Sequence, residues 1–371
     1  MAVRVSKPAF NLRDKISELD RPVGVHGNEI LKSNSLEETC AIVGSGRKNL
    51  VINGNFDVWQ RGTSFSSFNS MRLTADRWFQ YAAGSSTITA SRQQFTAGQT
   101  EVPGNPRYYY RYDNTPDADT SWLELFYRIE DITRFSDVPV TISWWMRANK
   151  PQYGEDEVRL TQNFGTSGST KVSILGPRFD IHTSWQKYEF TFNLPSVSGK
   201  TINANSFLEI HWLRVDTSVA ADTYYDIAQV QLEYGRGATT FEQRSYAEEV
   251  ELCQRYFAVV PAGTVFPGRG NSGSSYIYSY SLPVPLRTTP TVGTNDDLAH
   301  GTFSMRRYRD DTGVSDSTST PTTSSTYFQG NTNLIHLVQG GFTGADDRSA
   351  TLFLSGGAIT LDSEFSATYS P

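Results

Sequence analysis

Apolar and polar side chains alternate with a period of two residues in several stretches of this sequence. In 188–194, aromatic and aliphatic residues occupy every second position, and 123–129 repeats the pattern with Leu, Leu, Tyr and Ile. Such a period places one set of side chains on each face of a β-strand. Segments rich in turn-forming residues separate these runs, at 103–106, 114–119 and 165–169. The pattern predicts an all-β chain whose residues 49–244 form a jelly-roll β-sandwich.

Composition supports this fold class and excludes several functions. Aromatic residues make up 13% of the chain, which suits half-buried pleated sheets. The net charge of −6 argues against nucleic acid as a partner. We also expect no membrane insertion, because no apolar run approaches the ~20 residues that cross a bilayer. The N-terminal residues lack the apolar stretch of a signal peptide, so we expect folding in the cytoplasm. The chain has only two cysteines, Cys40 and Cys253, and they lie far apart in sequence. We therefore expect no disulfide framework and no zinc site of the paired-cysteine kind.

With 371 residues, the chain exceeds the roughly 250–300 at which one core stops growing, so more than one folded unit is expected. Residues 1–48 form the first segment. A short helix is predicted after Asn11 and before Pro22. We interpret the segment as an extended arm that becomes ordered against a partner, or alternatively one that wraps its own chain. Its candidate docking residues are apolar: Phe10, Leu12, Ile16 and Leu19.

A linking helix is predicted over 245–257. Ser245 and Glu248 match the S-x-x-E capping box. Apolar residues then recur at helical spacing: Tyr246, Val250, Cys253 and Phe257.

Residues 258–371 return to strands and are predicted to form a C-terminal β domain, a second β-sandwich. Tyr276, Tyr278 and Tyr280 share one face of a predicted strand. The Ser- and Thr-rich stretch 311–326 is predicted to be a long loop.

Four segments carry a family resemblance. The sequence NLVINGNFDVWQRGTSF (49–65) and the following LTADRWF (73–79) resemble the opening of a β-sandwich of phage tail fibres and related virion proteins. Residues 229–257 are similar to the close of that domain, and 7–19 to the N-terminal arms of fibre-like proteins in marine phages. The resemblance implies a homotrimer made in the host cytoplasm and located in the virion tail. It implies that the arm binds other tail proteins and that the C-terminal domain is the distal tip, with a host glycan or receptor as partner.

The central segment also resembles jelly-roll carbohydrate-binding modules. Asn53, Gly54, Phe56 and Asp57 stand where such modules have an N-G-x-F-E run, with Asp in place of Glu. Asp226 lies late in the domain, as the final acid of such modules does. The resemblance implies that Asp57 and Asp226 could hold a structural Ca²⁺. The alternative is that both are ordinary turn-capping carboxylates.

Candidate glycan-binding residues follow from the alternation. In 141–148, Ile142, Trp144 and Met146 share the apolar face, so Trp145 and Arg147 should point outward. An outward Trp needs a ligand, a loop or another chain.

In 107–112, either Tyr109 and Arg111 face outward, or Tyr108, Tyr110 and Tyr112 do. Glycan binding and packing between subunits both remain open for these residues.

No catalytic motif is recognisable, and we expect no enzymatic activity. The densest acidic cluster, 155–157, is predicted to be a solvated hairpin tip, and adjacent carboxylates on a strand point to opposite faces. The favoured function is a tail fibre or spike that contacts the host cell surface. The alternatives are a polysaccharide-cleaving tailspike enzyme and a purely structural head fibre or decoration protein.

Overall fold

The computed structural model describes twelve ranges of the chain. These are 47–68, 70–84, 88–114, 120–214, 223–261, 263–272, 275–292, 302–309, 313–319, 334–340, 349–356 and 359–364. The predicted arm, with Phe10, Leu12, Ile16 and Leu19, lies outside the described residues apart from its last two positions, so its role stays a prediction. Within the described residues, no helix is long and apolar enough to cross a membrane.

Within those ranges, the central part of the chain contains twelve strands. They are β1 (Ser64–Phe68), β2 (Arg72–Leu73), β3 (Trp78–Gly84), β4 (Ile88–Gln94), β5 (Tyr108–Asn114), β6 (Thr120–Ile129), β7 (Pro139–Ala148), β8 (Gln152–Asn163), β9 (Val172–Ile181), β10 (Gln186–Asn193), β11 (Phe207–Arg214) and β12 (Thr223–Tyr234). A short 3₁₀ helix spans Ile132–Phe135.

These strands form two six-stranded sheets. Sheet A has the order β1-β4-β5-β12-β7-β10, and sheet B the order β2-β3-β6-β11-β8-β9. Neighbouring strands pair in antiparallel fashion. Apolar side chains from both sheets form one shared core. The predicted all-β, jelly-roll-type sandwich is confirmed.

The core contains the inward half of each alternating run. In β7, Ile142, Trp144 and Met146 are buried in the core, whereas Trp145 lies on the outer face of sheet A. In β5, Tyr110 and Tyr112 point into the core. Tyr109 and Arg111 are therefore the outward pair, which decides between the two alternatives that the sequence left open.

The N-G-x-F run has a structural role. Asn53 is fully buried, and its side chain donates to the carbonyls of Val58 (2.8 Å) and Asp76 (3.0 Å) and accepts from the Val58 amide (2.9 Å). The Asn53 carbonyl accepts from the indole of Trp78 at 3.0 Å. Backbone groups of Gly54 and Val230 are joined by a hydrogen bond of 2.8 Å. The run thus anchors the chain entering the sandwich to its last long strand.

The predicted helix is confirmed as α1 (Tyr246–Gln254), with Ser245 as its N-cap, accepting from the Glu248 amide at 3.3 Å. Two details differ from the prediction. The helix ends at Gln254, because Phe257 pairs within a strand. Tyr246 is 66% exposed.

The buried face of α1 is formed by Glu249 and Cys253 instead. Burial raises the pKa of the Cys253 thiol well above its usual value, so this cysteine is an unreactive core residue.

Nine further strands lie in the C-terminal part that the structure describes. They are β13 (Phe257–Val260), β14 (Val265–Ser272), β15 (Ser275–Ser281), β16 (Thr291–Val292), β17 (Thr302–Arg309), β18 (Gly313–Ser319), β19 (Leu334–Gly340), β20 (Ser349–Gly356) and β21 (Ile359–Asp362). They form a three-stranded sheet, β13-β21-β16, and a six-stranded sheet, β18-β17-β20-β14-β15-β19. The prediction of a loop over 311–326 is wrong for 313–319, which pair with β17. Ser and Thr are compatible with an edge strand when a partner supplies the hydrogen bonds.

Buried ion pairs join β21 and its following residues to the sandwich. Arg61 contacts Asp362 at 3.1 Å, and Arg77 forms an ion pair with Glu364. Arg77 is 1% exposed and stacks on Tyr256, with 3.4 Å between its guanidinium carbon and the ring centroid. A charge this deep needs a partner. The sandwich and the end of the described chain are therefore electrostatically interdependent.

The acidic cluster at 155–157 is not a hairpin tip. It lies within β8, between β9 and β11, and Asp156 and Glu157 are buried, at 4% and 9% exposure. The interpretation of this cluster as solvated is therefore wrong for these two residues. Register irregularities between β8 and β9 at these positions disturb the simple alternation that the sequence suggested.

Candidate functional site

A groove of about 590 Å³ opens on the outer face of sheet A. Its floor is formed by β7, β10 and β12, and its two walls by the β4–β5 loop and the segment after β12. The lining residues are Pro103, Gly104, Ser143, Trp144, Trp145, Lys187, Gln229, Ala238, Thr239, Thr240, Phe241 and Gln243. An aromatic ring, side-chain amides and hydroxyl groups thus share one concave surface.

Two glutamines hold the walls of the groove in place. The side-chain amide of Gln243 donates to the Gly104 carbonyl at 2.8 Å, and that of Gln229 donates to the Pro103 carbonyl at 2.7 Å. Gln229 lies in a register irregularity of β12 and has φ +49°. Such a bulge redirects a side chain relative to the simple alternation. Gly104 has φ +79°, a conformation that favours glycine.

The second wall is supported from behind by Glu233, which is buried. One of its carboxylate oxygens accepts from the Thr239 amide at 2.8 Å, and the other accepts from the Thr239 hydroxyl at 2.7 Å. The Glu242 amide donates to the side chain of Gln231 at 2.8 Å. The wall is therefore fixed by the sandwich before any ligand binds, which reduces the entropy cost of binding.

Trp145 occupies the floor, directly opposite Lys187 on β10 and Ala228 on β12. It packs against a small outer-face cluster of aromatic and aliphatic side chains. This cluster consists of Phe95, Val102, Tyr109, Trp185 and Ala228. Within the described residues the indole N–H of Trp145 has no hydrogen-bond acceptor, so it can donate to a ligand. Trp145 lines the groove and stays partly exposed.

Beside Trp145, two arginines share one carboxylate. Arg111 donates to Asp226 at 2.7 and 2.9 Å, and Arg147 donates to it at 2.9 Å. Asp226 is fully buried, whereas the side chains of Arg111 and Arg147 are 22% and 26% exposed. Burial acts to lower the pKa of Arg111, but Asp226 outweighs it and raises that pKa. These three side chains together carry one net positive charge.

The expected calcium-binding role does not fit Asp226. Both of its oxygens accept from guanidinium groups, and Ca²⁺ requires free oxygen ligands. Asp57 is hydrogen-bonded to Asn55 at 3.0 Å, and burial raises its pKa. Among the described residues, no group of three or more His, Cys, Asp and Glu side chains could hold a metal ion.

The four candidate glycan-binding residues lie on the same outer face. Trp145 lines the groove, while Tyr109, Arg111 and Arg147 lie next to it around Asp226. Sequence reasoning missed Lys187, Gln229, Gln243 and Trp185. Lys187 could have been found, because it alternates with Tyr188 in a recognised run. Gln229 could not, because its orientation depends on the bulge.

Sheet B carries a separate charged cluster around His211. The His211 ring contacts Glu209 at 2.7 Å and Glu124 at 3.4 Å, and Arg128 donates to Glu209 at 2.5 Å. Burial alone would lower the pKa of His211, but the two carboxylates raise it. Against the effect of burial, His211 and Arg128 lower the pKa of Glu209 to about 2. Glu209 is therefore ionised at neutral pH, and it forms charged contacts with His211 and Arg128.

No protein-family model and no curated protein sequence matches this chain. Solved structures that resemble it include the family 11 carbohydrate-binding module of Clostridium thermocellum, with a TM-score of 0.27, 11% identity, and coverage of 46% of this chain and 96% of that one. The CBM22-1 xylan-binding domain of Paenibacillus barcinonensis has a TM-score of 0.27, 14% identity, and coverage of 52% and 100%. A Stig cyclase from Fischerella sp. TAU has a TM-score of 0.34, 9% identity, and coverage of 52% and 99%. Scores of this size do not establish function, so the assignment depends on the groove itself.

Proposed function

We propose that this chain is a non-catalytic glycan-binding protein of a bacteriophage tail fibre or spike. In this proposal, the groove on sheet A contacts glycans of the host surface, and the N-terminal arm attaches the protein to the virion tail. The observation that carries the glycan part is the position of Trp145 on the floor of an open groove with preformed walls.

The chemistry of the groove suits a sugar. The faces of a pyranose ring carry C–H groups that pack on a flat aromatic side chain, and its hydroxyls need donors and acceptors around the rim. Trp145 supplies the flat surface. Among the polar lining side chains, Gln243 is exposed, and Ser143 and Gln229 lie deeper, each 4% exposed. Binding sites of this kind combine an apolar surface with a few fixed polar groups. A partly exposed Trp on the outer face of a sheet also needs a reason to stay accessible, and a ligand provides it.

Replacing Trp145 with Ala should weaken glycan binding at least about tenfold, because interface aromatics contribute a large share of binding energy. A glycan array identifies the ligand, and isothermal titration then compares the wild type with the variant. Tyr153→Ala is the matched control, since Tyr153 is 68% exposed and does not line the groove. It should bind like the wild type.

Equal affinity of the Trp145→Ala and wild-type proteins would contradict this site assignment. The same preparations test the absence of catalysis. Incubation with the bound polysaccharide should release no oligosaccharides, whereas their release would favour the alternative of a polysaccharide-cleaving tailspike.

The virion part of the proposal is supported by the resemblance of residues 7–19 and 49–65 to phage fibre proteins. Fibres of that family are commonly homotrimers, and we propose the same assembly here. The exposed Tyr246 on α1 and the Tyr-rich strand β15 are candidate subunit contacts. The remaining alternative is a structural head fibre or decoration protein that never touches a host.

Deleting residues 2–40 should leave a folded trimer that no longer incorporates into virions. Light scattering of the intact protein should give three times the chain mass of 41.4 kDa. Particle incorporation is measured by immunoblotting purified virions, with the intact chain as control. A truncated protein that still assembles onto particles, or an intact protein that is a monomer, would contradict the corresponding part of the proposal.

A further inference from the structure

The groove differs in charge from the chain as a whole. The chain contains 33 Lys and Arg residues against 39 Asp and Glu, giving a net charge of −6. Among the groove-lining residues in the described part of the chain, Lys187 alone is charged, and none is Asp or Glu. A cleft lined by charge of one sign raises the local concentration of oppositely charged ligands, so this lining favours an anion.

Lys187 is positioned to reach a ligand on Trp145. The two residues are directly opposite each other on β10 and β7. The Lys187 amine contacts Glu189 at 3.2 Å, and these side chains are 37% and 55% exposed. Exposed pairs of this kind are weak, so the ammonium can exchange Glu189 for a ligand group at little cost.

A second positively charged group, the Arg111–Arg147 pair, lies next to Trp145 on the outer face of sheet A. Arg147 follows Trp145 by two residues, which places it about 7 Å along the strand on the same side. Arg147 and Arg111 carry two positive charges against the single charge of Asp226. Each guanidinium has five N–H donors. Arg111 uses two of them on Asp226, and Arg147 uses one on Asp226 and one on Tyr109, so donors remain for a ligand.

We infer that the glycan bound in this groove is anionic and places a carboxylate or another acidic group at Lys187. The Arg111–Arg147 pair then attracts the next acidic sugar of the glycan. This inference rests on the proposed glycan-binding function and adds the ligand class. Neutral glycans would leave Lys187 without a ligand partner.

The test uses polygalacturonate, alginate and hyaluronan, each measured beside its methyl ester, which keeps the backbone and removes the charge. Xylan and mixed-linkage β-glucan serve as neutral probes. The wild type should bind at least one acidic form about tenfold more tightly than its ester, and added salt should weaken that binding. Lys187→Met should weaken it roughly tenfold, the contribution of one charge-assisted hydrogen bond. Lys187→Arg should restore most of the affinity.

Lys200→Met is the matched control, because it removes the same charge at a site outside the groove and should change nothing. The charge preference would be overturned if the wild type bound the esters or the neutral polysaccharides as tightly as the acidic forms, and if Lys187→Met did not change the affinity. Glycan binding itself would still stand. If the wild type bound none of these polysaccharides and no glycan on an array, the proposed function itself would be wrong. The two failures are therefore distinguishable.

Discussion

Replacing Glu364 with Ala should lower the free energy of unfolding by about 3–5 kcal/mol, the usual cost of removing one partner of a buried ion pair. The side chain of Glu364 is 2% exposed and that of its partner Arg77 is 1% exposed. Without Glu364, the Arg77 guanidinium would keep its hydrogen bond to the Arg128 carbonyl and its stacking on Tyr256. Its charge would have lost its nearest counter-ion in a site that water does not reach. Urea denaturation followed by circular dichroism measures the loss.

Glu189→Ala is the matched control, because Glu189 also pairs with a cation but both side chains are well exposed. It should change the unfolding free energy by less than about 1 kcal/mol. If Glu364→Ala were as mild as Glu189→Ala, the link between the C-terminal strands and the sandwich would not depend on this pair.

Gly54→Ala should destabilise the sandwich by at least about 3 kcal/mol, at the upper end of the cost of overpacking. A Cβ at position 54 would lie well inside 3.0 Å of the Val230 carbonyl oxygen. That oxygen belongs to the backbone, so it cannot move aside as a flexible side chain could. The two segments are also hydrogen-bonded there, from the Val230 amide to the Gly54 carbonyl at 2.8 Å. Relief of the clash would therefore break the contact that anchors the start of the domain. Thermal unfolding and the yield of soluble protein measure the effect.

Gly199→Ala separates crowding from backbone strain. Gly199 has φ +75°, but a Cβ there would meet no atom within 4 Å. The expected cost is only about 1 kcal/mol, from the left-handed backbone. If the Gly54→Ala protein were as stable as Gly199→Ala, the backbone segments at positions 54 and 230 would be able to move apart without loss of stability.

The β architecture was predictable because alternation is a local property. The alternating runs at 123–129 and 188–194 lie in β6 and β10, apart from the last residue of the second run. The outward position of Trp145 followed from its neighbours in β7. The start of α1 was predictable for the same reason, since its capping box spans only four residues, Ser245 to Glu248. Its end was not, because Phe257 is drawn into a strand that pairs with β21.

Contacts between distant segments were beyond the sequence pattern. Arg77 and Glu364 are separated by 287 positions, and Arg111 and Asp226 by 115. Nothing local identifies such partners, because they meet only once the strand order is set. The sequence could not identify the partners of Asp226 for this reason, because an acid near a strand end looks the same whether it binds a metal or two arginines.

The groove was predictable only in part, because it combines a local pattern with contacts between distant segments. Its floor residue, Trp145, could be found from the alternation, but its walls could not. They depend on the bulge that turns Gln229 outward and on the long-range bonds to Pro103 and Gly104.

A crystal structure of the protein with its bound oligosaccharide would show whether the groove on sheet A is the glycan site. We expect one sugar ring to lie over Trp145, between the Gly104 loop and the Thr239 segment. The walls should keep their present positions, because Glu233, Gln229 and Gln243 already hold them. A sugar bound on sheet B or on the C-terminal strands, with the sheet A groove empty, would contradict the account.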